Sequence, residues 1–156
     1  MAVYYLSENQ AEGDFSAVSS VVVPKLITLI SQESNDEALE SHVRAIGFWL
    51  SKSQFTSEIS KIYSAALGDP KKQDKAKWYL LSLNYASRGQ LTDRFQVVDD
   101  LSKVLFQIFD KVKQRTTLRA EGFLVATLMA RFSAELPQSP FAAQVSKAGA
   151  LEYFFS

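Results

Sequence analysis

Lys103, Gln107, Lys111 and Arg115 recur every four residues. On a helix that spacing makes one polar stripe, drifting by about 40° per step around the axis. Lysine, arginine and glutamine all donate hydrogen bonds to phosphate oxygens, so a stripe of them can follow a nucleic-acid backbone without reading its bases. Arg119 stands just beyond the following turn, and Arg88 closes the preceding helix. These six residues are the candidate nucleic-acid-binding set. Lys71 and Lys75, one turn apart, and Lys77, Asn84 and Arg88, which edge the aromatic face of Trp78 and Tyr85, could extend it. Trp78, Leu81 and Tyr85 themselves read as core, leaving only their cationic margins for contact.

Other chemistries find little support. His42 is the only histidine, and beside Glu37 and Glu40 it could supply one metal ligand but not a histidine-rich zinc site. Asp99 and Asp100 are sequence neighbours, pointing about 100° apart on a helix, so they do not form a catalytic pair. With Asp93 they suit the electropositive first half of a helix. No GxSxG, Walker lysine loop or GxGxxG occurs. The expectation is a protein that is not an enzyme, with no metal, no cofactor and no small-molecule substrate.

The formal charge of zero conceals an asymmetry. Residues 1–40 carry seven carboxylates against Lys25, whereas residues 71–119 hold eleven Lys or Arg against five Asp. Either an anionic partner or a complementary protein surface faces the basic block, or the block is an ordinary solvated helical face. The absence of cysteine removes disulfides, thiol nucleophiles and zinc thiolates, and fits a reducing cytoplasm. The apolar runs are too short to span a bilayer, and the opening MAVYYLSENQ lacks the charge pattern of a secretory signal. A soluble cytoplasmic protein with no membrane partner is expected.

The elements that would position the stripe read as helices throughout. A first helix spans Ser16 to about Gln32, bent or started late by Pro24. The second begins at Ser34 or Asn35, with Ser34 and Glu37 matching a capping box, and runs to Leu50 with Leu39, Val43, Ile46, Phe48 and Leu50 partly inward. Ser53 caps a third, whose stripe of Phe55, Ile59, Ile62, Tyr63 and Ala66 ends at Gly68, suited to a left-handed cap. Asp69-Pro70 starts a fourth, to Arg88 and Gly89. Thr92 caps the fifth, to about Gln114, carrying Phe95, Val98, Leu101, Leu105, Ile108 and Val112. A sixth runs from Thr116 or Thr117 through Leu118, Phe123, Leu128 and Phe132 to Pro137. Ser139-Pro140 opens a last short helix to about Lys147, released by Gly149.

This is an all-α chain, a single compact bundle of about five to seven helices with short aromatic terminal arms. One domain covers 1–156, with an N-terminal arm at 1–15, the bundle at 16–135, and a short helix and aromatic tail at 136–156. Val3-Tyr4-Tyr5-Leu6 and Leu151-Glu152-Tyr153-Phe154-Phe155 suit extended structure better than an amphipathic helix. They either pair on their own bundle, the reading taken first, or dock onto a neighbouring copy.

Three segments, LSKSQFTSEISKIYSAAL at 50–67, KAKWYLLSLNYASRGQ at 75–90 and EGFLVATLMARFSAE at 121–135, resemble in order and spacing the small helical subunit of type III CRISPR effector complexes. The resemblance covers about residues 42–135. It implies a non-catalytic bundle, stacked in several copies inside a ribonucleoprotein filament, touching guide and target RNA backbone and neighbouring subunits. By position Arg88 matches a basic helix end, and Lys52, Lys61 and Arg131 are surface cations on matching segments. The chain reads Arg-Gly where the family tends to read Gly-Arg, which moves the cation into the last helical turn. The acidic leader and the tail have no family counterpart. The competing expectation is a self-assembling coat or nucleocapsid subunit, motivated by the aromatic ends and the opposite charges of the two halves. A helical adaptor that binds only protein is a third.

Overall fold

α1, Phe15–Gln32, leads into α2, Asp36–Ser51, and α3, Ser57–Gly68. A 3-10 segment, Pro70–Lys75, then feeds α4, Ala76–Ala86. After α5, Asp99–Val112, a short 3-10 turn, Thr116–Leu118, precedes α6, Arg119–Glu135. α7, Pro140–Ala148, and a 3-10 turn, Glu152–Phe155, follow. The computed structural model describes residues 15–52, 57–87, 99–135, 140–150 and 152–155. Among the described residues there are seven α-helices and no strand, so the protein is an all-α bundle.

α4 is the hub, packed most extensively on α2 and also against α6, α3 and α1. α5 bridges α3 and α6, and α7 lies on α6. One hydrophobic cluster runs through all of these helices, with Trp49, Tyr63, Tyr79 and Phe109 among its largest fully buried side chains. Val145, Ala150 and Tyr153 of the last segments belong to the same cluster. α2 and α4 approach closely at Gly47, where an added methyl would overlap Tyr85 Cβ.

Several local expectations are corrected. Pro24 neither starts nor ends α1, which runs through it; Val23, Leu26, Ile27 and Ile30 around it are buried, and that packing outweighs the lost amide. The N-cap of α2 is Asn35, whose Oδ1 accepts the Ala38 amide hydrogen at 3.0 Å. No Ser34–Glu37 box forms. Instead Glu33 Oε1 accepts the amides of Ser34 and Asn35 at 3.1 and 3.0 Å. On α2 the inward large aromatic is Trp49, fully buried, whereas Phe48 is half-buried beneath Lys52, whose Nζ is 5.8 Å from its ring centre.

Asp69 does cap, accepting the Lys71 amide at 2.9 Å, but what it starts is the 3-10 segment; the fourth α-helix begins only at Ala76. Gly68 is not left-handed: among the described residues the one positive φ is Gly149, at 76°. The C-terminus of α3 is closed instead by the Gln73 side chain, whose Nε2 donates to Leu67 O at 3.1 Å and Asp69 O at 2.9 Å. Borrowed donors of this kind satisfy the last carbonyls of a helix as a glycine cap would.

The tail is not extended. Residues 152–155 form a 3-10 turn, and Tyr153 sits edge-on against Phe109 and Phe123, with centroids 5.6 and 5.3 Å apart. Its hydroxyl fills the space beside Gly122 that a side chain would need. Ser53, Phe55, Gly89, Thr92, Phe95, Val98, Pro137, Leu151 and the arm at 3–6 lie outside the described residues.

Candidate nucleic-acid interface

The amphipathic pattern of α5 dictates its orientation. Leu101, Leu105, Ile108, Phe109 and Val112 are buried, which turns Lys103, Gln107 and Lys111 to solvent on the other side. At 1.5 Å per residue they span about 12 Å along the axis. Arg115, also exposed, lies past the end of α5 in extended backbone, φ −117° and ψ 112°. Among the described side chains neither Lys103 nor Arg115 has a carboxylate partner. Arg119 opens α6, exposed, with its guanidinium 5.0 Å from the Phe123 ring centre and 5.7 Å from that of Tyr153. Arg88 lies outside the described residues.

Lys111 is turned toward the end of α3. Its Nζ donates to Gln73 Oε1 at 3.4 Å, the same amide whose nitrogen closes the last carbonyls of α3. A cation there also faces the negative end of the helix dipole. Between this corner and α5 lies a cleft of about 250 Å³, floored by Leu67, Val104 and Ile108. Nothing in the sequence marks Gln73 or the cleft, because the pairing of the Pro70 segment with α5 is a tertiary event.

Other candidates go elsewhere. Asn84 is a core residue, not a surface donor: buried, it donates from Nδ2 to Leu80 O at 2.9 Å and Leu124 O at 3.2 Å. Arg131 is likewise not the surface cation expected of it, because its Nη1 donates to Asn84 O at 2.9 Å and Ser87 Oγ at 2.8 Å, tying α6 to the end of α4. Lys75 Nζ donates to the Glu33 carbonyl, across to the α1–α2 connection. Lys77 is exposed, with Nζ 4.8 Å from the Trp78 ring centre. Lys71 and Lys61 are exposed.

Two further cations are paired locally. Arg44 pairs with Glu40 at 2.8 Å, and that carboxylate raises the guanidinium's pKa. Lys113 pairs with Asp110 at 2.9 Å. Inside the bundle Tyr63 shares a 2.7 Å hydrogen bond with Ser82 Oγ, and burial pushes the Tyr63 hydroxyl pKa well up. Among the described residues no three His, Asp or Glu side chains gather as metal ligands, and no helix is long and apolar enough to cross a membrane.

What α5 presents is therefore a short row of exposed donors, two of which, Gln107 and Lys111, also line the cleft. The chain matches no protein-family model, no curated protein and no solved structure.

Proposed function

We propose that this chain is a non-catalytic subunit of a ribonucleoprotein complex that lies against RNA phosphates through Lys103 and Lys111 of the α5 face and Arg115 just past its end, with Gln107 between them and Arg119 and Arg88 as further contacts. The observation that carries this reading is the exposure of Lys103, Gln107 and Lys111 together on one face of α5, opposite its buried stripe. Binding of this kind is insensitive to base sequence and strongly sensitive to salt, because each neutralised phosphate releases counterions. The resemblance to the small subunit of type III CRISPR effectors supplies the setting: several copies along guide and target RNA, held by neighbouring subunits.

A salt titration of RNA binding by mobility shift tests it. With three or four phosphates neutralised, log affinity falls against log salt with a slope of about −2 to −3 for a single strand. A flat dependence, or no binding at low salt, removes the RNA role.

A second reading, self-assembly as a coat or nucleocapsid subunit, rests on α1. There Val21 is 56 % exposed and Leu29 43 %, beside Pro24 and Lys25. Apolar surface of that kind suits a protein neighbour. Light scattering separates the two: long filaments of the purified chain favour self-assembly, and a monomer or small oligomer favours a subunit that waits for partners.

A further inference from the structure

Phosphates need only donors on an open surface, so the recess beside the α5 stripe serves no purpose in a pure backbone contact. Its floor of Leu67, Val104 and Ile108 is apolar, Pro70 forms a side wall, and Gln107 and Lys111 stand at its edge. The volume of about 250 Å³ admits one planar heterocycle.

The polar groups at this edge divide by availability. The Gln73 amide is committed on both atoms, to Leu67 O and Asp69 O through nitrogen and to Lys111 through oxygen. Gln107, exposed, has no hydrogen-bond partner among the described residues. A glutamine amide offers an N–H and a C=O side by side, which is the complement of the paired donor and acceptor on a base edge, adenine N6 and N7 above all. Lys111 follows one turn later, held toward the cleft by Gln73, where a phosphate attached to such a base would pass.

We propose that the cleft takes one unstacked nucleobase, of adenine-like edge, from the strand whose phosphates run along Lys103, Lys111 and Arg115. Gln107 pairs with the base edge, while the ring lies on Val104 and against Pro70. The site thus adds a base contact to a backbone-binding surface, and it rests on the RNA reading given above.

Gly68 provides a clean way to fill the cleft. Its backbone is not left-handed, and an added Cβ would meet Val104 Cγ2 at 3.9 Å, an ordinary contact. Fluorescence anisotropy with the full chain would compare an oligoadenylate with a ribose-phosphate oligomer of equal length that lacks bases. The wild type should prefer the base-bearing strand by about tenfold. Gly68→Leu should lose that preference and keep its affinity for the abasic strand, and Gln107→Ala should lose the preference as well. Equal affinity of the wild type for both strands overturns the cleft proposal and leaves the backbone reading standing. A preference that survives in a folded Gly68→Leu, checked by circular dichroism, also overturns it. Binding to neither strand takes down both.

Discussion

Arg131 and Asn84 at the seam between α4 and α6 are the same kinds of donor, a guanidinium and an amide, as Arg115 just past the end of α5 and Gln107 on its outer side. Their hydrogens have opposite destinations. Those of Arg131 and Asn84 end on carbonyls and a hydroxyl inside the bundle. Lys103, Gln107 and Arg115 reach solvent. A residue's type and its net contribution to charge therefore say little about whether it meets a partner; what decides is whether the fold has already provided an acceptor. Of the basic residues in the central block, Lys75 is held by the Glu33 carbonyl, while Lys111 and Lys113 meet Gln73 and Asp110 at the surface, so only part of the excess is uncommitted.

This contrast can be broken by substitution. Reversing the outer face with Lys103→Glu, Lys111→Glu and Arg115→Glu together should weaken RNA binding by roughly a hundredfold, while thermal melting stays close to the wild type. A melting temperature that collapses instead would mean the face is structural. Arg131→Met should do the opposite. Removing the charged donor takes one bond each from Asn84 O and Ser87 Oγ, which keep only the 2.9 Å bond that the Ser87 hydroxyl donates to Asn84 O, a cost of about 1 to 2 kcal/mol by urea denaturation, with RNA affinity unchanged. If Arg131→Met weakened binding as strongly as the outer reversal, the division between the two regions would fail.

Two smaller effects sharpen the picture of the interior. Tyr63→Phe removes a buried hydroxyl from Ser82, which still donates to Tyr79 O at 2.7 Å, so the loss should be about 1 kcal/mol in the same denaturation assay. Glu33 has its pKa lowered from the usual 4.5, chiefly by the Asn35 amide and, against an opposing desolvation, by that of Ser34. A depressed folded value means that the stabilisation is present above the ordinary carboxylate pKa and is lost as the pH falls through the folded one. The difference in melting temperature between the wild type and Glu33→Gln should therefore be visible near neutrality and close in acid. A difference that persists unchanged at about pH 3 would exclude the carboxylate as its source.

Helical class, most boundaries and the inward stripes of α2, α3 and α5 were legible because burial imposes a period on the sequence. Leu101, Leu105, Ile108 and Val112 announce the buried side of α5, and by subtraction they announce Lys103, Gln107 and Lys111 on the other. Local capping was less legible. Ser34 and Asn35 both have cap chemistry, and only the folded backbone shows that Asn35 Oδ1 takes the Ala38 amide while Glu33 takes the amides of Ser34 and Asn35 themselves. Asp69-Pro70 reads as a helix start whether the following turn is α or 3-10. Asn84 and Arg131 were read as surface groups because an amide or a guanidinium carries no mark of burial; the carbonyls that receive them, Leu124 O and Asn84 O, come from tertiary pairing of α4 with α6. The cleft was illegible for the same reason.

Tyr153 is encoded well after Gly122, the residue whose bareness makes room for its hydroxyl. The ring that seats between Phe109 of α5 and Phe123 of α6 is thus the last part of that corner to be synthesised. A chain cut before Tyr153 therefore has an unfilled aromatic seat between Phe109 and Phe123, with bare Gly122 at its side.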